Sequence, residues 1–276
     1  MGKRKVNPKE EVSPKSDSTV KVAIIGGIVT VLVTVISAIA APMVLKAIQE
    51  TPASPTLAGS SQTEQLSNED KLVAMANENL SDVRTGFIDT FDTFSLREWS
   101  GTNIEAIGMD DGALKVIGQN EQVVFWRNNH SFPNGRGLVL RFKYTGDSDI
   151  QFSIEQAGVE YDEGQALQIW GDGNGFSVQI HEGAQGVNDE IFPLEGNLKL
   201  QPDIWYGLLM VLDTNGKKLA VIWDLDDPSL RLRYIDSAGH DSWRNLFWDF
   251  EGRIPPGVSE SVYIDDYTEI SFSSFK

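Results

Sequence analysis

Downstream of residue 87 the chain is written in short stretches of strict alternation. Ile150, Phe152 and Ile154 alternate with Gln151, Ser153 and Glu155, and Phe176, Val178 and Ile180 alternate with Ser177, Gln179 and His181. A period of two sends successive side chains to opposite faces of a strand, so each stretch has one face for a core and one polar face. Turn residues punctuate the pattern at Asp110-Asp111-Gly112, at Gly171-Asp172-Gly173-Asn174-Gly175 and at Thr214-Asn215-Gly216. Gly and Asn tolerate positive φ, and the last of these turns predicts a hairpin in which strand 207–213 returns as strand 219–224. No stretch here has a helical period, which excludes βαβ units and predicts an all-β sandwich or barrel over residues 87–276.

Upstream the pattern changes twice. Residues 22–45 form an apolar run without charge, bounded by Lys21 and Lys46. Such a run, at about 1.5 Å per helical residue, crosses a hydrocarbon core of roughly 30 Å, so it is read as a transmembrane helix. The tail at 1–21 carries Lys3, Arg4, Lys5, Lys9, Lys15 and Lys21, which places it in the cytoplasm and the β domain outside a cell membrane crossed once. The rival reading is a cleaved signal peptide, for which Ser37-Ala38-Ile39-Ala40-Ala41 supplies the small residues. Residues 46–86 read as a linker, Pro- and Ser-rich at first. Within it Leu66, Val73, Ala76, Leu80 and Val83 recur at spacings that suit a short amphipathic helix. That helix packs on the domain, pairs with a copy of itself, or frays as part of the linker.

Charge sharpens this division. The net charge is −17, yet residues 1–48 hold 7 Lys/Arg against 3 acids, leaving 16 against 37 for the remainder. A domain so acidic repels phosphate backbones, which excludes a nucleic-acid partner. With no Cys there is no disulfide framework and no thiolate metal site or nucleophile. His130, His181 and His240 are the only histidines and no pair has zinc-ligand spacing. No G-x-S-x-G elbow marks a serine hydrolase.

Several short motifs together carry a likeness. Asp89-Thr90-Phe91-Asp92-Thr93-Phe94 with Trp99, the turn Asp111-Gly112-Ala113-Leu114, Trp205-Tyr206 opening a long strand, and the closing Val262-Tyr263-Ile264-Asp265-Asp266-Tyr267 resemble concanavalin A-like lectin/glucanase sandwiches, including laminin G-like modules. The resemblance implies a two-sheet antiparallel jelly roll with its first and last strands adjacent and one concave face able to hold an extended sugar chain. In the glucanases it also implies Glu, Asp and Glu on alternate positions of one strand. Asp149 and Glu155 stand six apart, and Glu160-Tyr161-Asp162-Glu163 sits in a Gly-bounded loop, so neither matches that run. Calcium in such sandwiches lies where first and last strands meet, which here draws on Asp92 and Asp265; Asp110-Asp111 and Asp226-Asp227 are further acidic pairs suited to hard cations.

Binding a sugar needs an aromatic face beside polar partners. Leu167 and Ile169 point to the core, which leaves Gln168 and Trp170 together on the other face. Pairing through the 171–175 turn brings Gln179 and His181 beside them, and Gln151, Ser153 and Glu155 lie on a polar face of their own strand. Trp205, Trp223 and Trp248 sit in apolar strands and are assigned to the core, with Trp126 and Trp243 unassigned. The expectation is a membrane-anchored module outside the cell that binds carbohydrate without catalysis. The alternatives are a glycoside hydrolase, with carboxyls converging from different strands, and a structural or protein–protein adhesion module, with Trp170 a plain edge residue.

Overall fold

The structure, a computed structural model, describes residues 66–276 apart from 94, 96, 128–131, 134–135, 147–148, 160–162, 172–174, 184–189, 245 and 258–260. The expected membrane span, basic tail and spacer lie outside the described residues. Among the described residues no helix is long and apolar enough to cross a membrane.

Two antiparallel sheets pack face to face. One, the open sheet, is formed by β3 (Trp99–Thr102), β6 (Val123–Arg127), β7 (Phe132–Pro133), β9 (Gln151–Gln156), β10 (Gln165–Gly171), β11 (Phe176–Glu182), β12 (Glu190–Pro193) and β17 (Phe247–Ile254), in the order β12-β11-β10-β9-β17-β6-β3 with β7 also on β17. The other, the covered sheet, has β2 (Arg84–Asp89), β4 (Ile107–Asp110), β5 (Ala113–Ile117), β8 (Arg136–Tyr144), β13 (Glu195–Gly196), β14 (Tyr206–Leu212), β15 (Lys218–Asp224), β16 (Arg231–Asp236) and β18 (Ser261–Ser271). Its order is β13-β16-β15-β14-β8-β18-β5-β4, with β2 also paired to β18, so the first long strand meets the last. A further pair joins β1 (Leu80–Ser81) to β19 (Ser274–Phe275).

The core lies where the alternation places it. Phe152, Ile154, Leu167, Ile169, Val178 and Phe250 from the open sheet meet Leu140, Phe142, Leu208, Met210 and Ile222 from the covered one. The turn at Asp111-Gly112, both with positive φ (52° and 76°), joins β4 to β5, and the 207–224 hairpin pairs Leu212 with Lys218. The opening motif has a structural task. Asp89 accepts from the Phe91 amide at 2.8 Å and from the Trp99 indole at 2.7 Å, fixing both rings in the core.

Strand β14 is buried at all seven positions because both its faces are covered. Helix α1 (Asn68–Asn79) lies on the outer face, where Leu72, Met75 and Ala76 pack on Val139, Leu209, Val211, Leu219, Val221 and Trp223. Ser67 caps it: its Oγ accepts from the Asp70 amide at 3.1 Å while the Asp70 carboxylate accepts from the Ser67 amide at 3.3 Å. The helix therefore docks on the sandwich. Its buried stripe also runs through Leu72 and Met75, while Leu66, one of the expected positions, is exposed. Ala76 and Leu80 of the expected stripe are buried, and Leu72 and Met75 widen it because the sheet beneath sets which positions are covered.

Trp223 and Trp248 are buried as expected; Trp243, unassigned from the sequence, is buried too, its ring stacked on Trp248 at 5.0 Å. Trp205 corrects its expected placement. It precedes β14 on the outer face, half-buried, with Arg141 and Lys143 over its ring at 4.6 and 5.2 Å. Gly207, two residues on, is covered by the Trp223 ring, so the slot beneath is already filled.

Candidate functional site

Among the described residues no helix lies over the open sheet, and its outer face gathers the polar positions of five strands. Register sets the neighbours: Gln168 faces Ser153 on one side and Gln179 on the other, Trp170 faces Gln151 and Ser177, and Ala166 faces Glu155 and His181. All seven residues singled out from the sequence, Gln151, Ser153, Glu155, Gln168, Trp170, Gln179 and His181, thus share one face. Ser153, Gln168 and His181 are buried and form its floor, whereas Trp170 and Gln179 remain partly exposed. Gln151 donates to the Ser153 hydroxyl at 2.9 Å, which orders the edge beside Trp170.

The sequence reading missed the neighbouring strand. β17 pairs with β9 so that Asp249 stands opposite Glu155, Glu251 opposite Ser153 and Arg253 opposite Gln151. Trp248 and Phe250 turn inward, leaving the acids and the arginine outward. Gly252 between them has the Phe125 ring packed over it, where a Cβ would fall 2.0 Å from a ring carbon. On the far side of β17, Glu251 faces Trp126 of β6. The result is a cleft of about 250 Å³ lined by Trp126, Glu155, Asp249 and Glu251, with Ala157, Gly158 and Val159 also on its wall.

Arg253 governs the electrostatics. Its Nη2 lies 3.2 Å from both oxygens of Glu155, and its Nε holds Glu251 on the same side chain. Burial raises the Glu155 carboxyl above its usual range, against the opposing pull of Arg253, hydrogen bonds from Ser153 and Gln168, and His181. Glu251 is pushed up to about 7, by burial first and by repulsion from Glu155 second, with Arg253 opposing. Asp249 rises to about 6 through burial alone; its Oδ1 is sealed from solvent and has no hydrogen-bond partner. An ionised carboxylate buried without a donor costs stability, so Asp249 is held at a cost to the fold.

A larger hollow of about 470 Å³ lies at the sandwich edge among Glu182, Glu190, Phe192, Tyr234, Asp236 and His240. Two of its acids are engaged within the protein. Asp236 takes Lys218 at 3.2 Å and His240 at 3.3 Å, and Glu182 accepts from the Trp243 indole at 2.9 Å. The smaller cleft, continuous with the polar face around Trp170, is the better candidate.

The expected calcium residues fall elsewhere. Asp92 is exposed and accepts from Thr90 at 2.9 Å, while Asp265 is buried at a bulge of β18 and paired with Arg141, which also lies 2.7 Å from Asp266. Burial raises Asp265 to about 6 despite that partner. Among the described residues no group of three or more His, Asp or Glu is arranged to hold a metal ion.

No family model matches the sequence, and neither does any curated protein. Solved structures do match. The catalytic domain of an endo-1,3-β-glucanase (laminarinase) from Thermotoga petrophila superposes with a TM-score of 0.53 at 11% identity, over 71% of this chain and 100% of that one. The endo-β-1,3-glucanase of Pyrococcus furiosus gives 0.53 at 10% identity, over 71% and 99%. The chain shares the two-sheet antiparallel jelly-roll sandwich of these glucanase domains. At such identities the likeness is one of architecture, and the chemistry rests on the side chains described above.

Proposed function

We propose that the open face binds an extended polysaccharide without cleaving it, and that the apolar run 22–45 displays the domain on the outer side of a membrane. The carrying observation is the tie of both Glu155 and Glu251 to one guanidinium, that of Arg253. A retaining glycosidase needs one carboxyl free to attack and a second free to donate a proton, roughly 5 Å away. Here the two are clamped to the same cation. What remains suits binding: aromatic faces at Trp126 and Trp170, the half-exposed Gln151 amide on β9 between them, and the Gln179 amide on β11 beyond Trp170. The glucanases that share this architecture support a sugar chain as the ligand. The uncharged length of 22–45 and the basic tail before it support the tether.

One observation favours a second reading, hydrolysis. Asp249 and Glu251 titrate near 6 and 7, the range in which a carboxyl can serve as a general acid at neutral pH. Titration calorimetry of the full chain against soluble β-glucans, xylans and mannans, with reducing ends assayed on the same mixtures, separates the two. Binding without release, weakened tenfold or more in Trp170→Ala, is the expected result. Release of reducing ends that is lost in Asp249→Asn would establish the hydrolase, and no binding to any glycan would overturn both.

A further inference from the structure

Beside α1, on the outer face of the covered sheet, register sets Lys115, Tyr263 and Lys143 next to one another on β5, β18 and β8, and Trp205 follows in front of β14. Cations and rings interleave there. The Lys143 ammonium lies 4.3 Å from the centre of the Tyr263 ring and 5.2 Å from that of Trp205, Lys115 lies 5.2 Å from Tyr263, and Arg141 lies 4.6 Å from Trp205. Ile117, two residues past Lys115 on the same face, and Ile204, the neighbour of Trp205, are exposed. Amphipathic rings, exposed aliphatic side chains and basic heads on apolar stems are the set that suits the headgroup layer of a bilayer.

Where the chain enters the domain singles out the occupant. Helix α1 starts at this end of the sheet: Lys71, near its beginning, reaches Asp226 at 3.1 Å, and Asp226 stands two residues past Asp224, the ladder partner of Tyr206 next to Trp205. Residues 46–65 join that point to the apolar run and span at most roughly 70 Å. A surface held so close needs little intrinsic affinity, because a tether raises its effective concentration. A free polyanion is disfavoured, since residues 49–276 hold 16 basic against 37 acidic residues and their field turns it away at long range. Resting on the reading of 22–45 as a membrane span, we infer that the patch of Trp205, Tyr263, Lys115, Lys143 and Ile117 docks on the lipid headgroup layer of the membrane that carries the chain. The open face, on the other side of the sandwich, is thereby left to the water, where a polysaccharide can reach it.

The chain has no cysteine, so a single introduced one carries a spin label without background. The full chain is placed one copy per nanodisc of phosphatidylcholine with phosphatidylglycerol. Labels at Ile117→Cys on the patch and at Ile191→Cys, exposed on the open face opposite Gln179, are probed with a water-soluble nickel chelate. The label at 117 is expected to be about fivefold less accessible to the chelate than the label at 191. Lys143→Glu, a substitution outside the core, should remove most of that difference, and so should Trp205→Ala. Equal accessibility at both labels, in discs that retain the chain, would overturn the inference and leave the tether standing. Protection at 117 that persists unchanged in both variants would mean that the protein itself shields the label, and protection that arises only in discs holding two chains would mean that a second copy does. Either result would overturn the inference. A chain that fails to enter the discs would remove the tether and the inference together.

Discussion

At the scale of residues the open face is a trade of stability against chemistry. Glu155 and Asp249 face each other across a ladder, and Glu251 crowds the same patch. Asp249 is the member without a partner, which makes its effect separable. Its folded-state pKa, about 6, lies above the unfolded value of 3.8, so the folded chain holds its proton more tightly. The resulting stabilisation is complete below pH about 4 and lost as pH rises through about 6, beyond which the ionised group is a constant burden. Asp249→Asn should therefore leave thermal stability at pH 4 nearly unchanged. At pH 7.5 it should raise it by about 1 kcal/mol, or roughly 2–4 °C, once solvent contact in the cleft is allowed for. A melting series from pH 4 to 8 checks this; a loss of stability at pH 7.5 would show that Asp249 has a stabilising partner. The face bearing Gln168, Trp170, Gln179 and His181 was legible because each strand alternates cleanly. Asp249, Glu251 and Arg253 were passed over for the opposite reason: with Phe247, Trp248 and Phe250 interleaved, the stretch reads as core. Their alternation was present in the sequence, but the partner that gives it meaning, Glu155, lies 98 residues from Arg253 along the chain.

At the scale of elements the covered sheet depends on α1. Residues 68–80 bury Leu72, Met75, Ala76 and Leu80 against the outer side of β8, β14 and β15. Without them, Val139, Leu209, Val211, Leu219, Val221 and Trp223 would form an exposed apolar patch, the kind of surface that drives aggregation. A chain beginning at Arg84 is expected to be insoluble, and one beginning at Thr63 soluble and cooperative in unfolding. Within the latter, Leu72→Ala should cost about 2–4 kcal/mol in urea denaturation. A soluble, equally stable chain lacking the helix would contradict the packing described. Hairpins and turns were readable locally, since Asn-Gly and Asp-Gly sequences fix their own geometry. The seat of α1 was not, because an amphipathic helix of 12 residues carries no record of which surface it meets.

At the scale of the molecule the sandwich separates its tasks by face. One outer face is closed by a helix; the other stays open with two partly exposed tryptophans and a cleft of carboxylates. Overall architecture was legible from period and turns, and the shared fold with glucanase domains agrees with it. Strand order was legible only where the resemblance supplied it, in β2 beside β18; neighbours such as β9 and β17 are brought together only by the closed fold. The most direct test of the binding face uses the seven tryptophans as reporters. Indole N–H resonances, assigned by single Trp→Phe variants, are followed as an oligosaccharide ligand is titrated into the protein. Shifts confined to Trp126 and Trp170, with Trp99, Trp205, Trp223, Trp243 and Trp248 unmoved, are the expected result. Shifts centred on Trp205, on the outer side of the covered sheet, or on none of the seven, would contradict a glycan site on the open face.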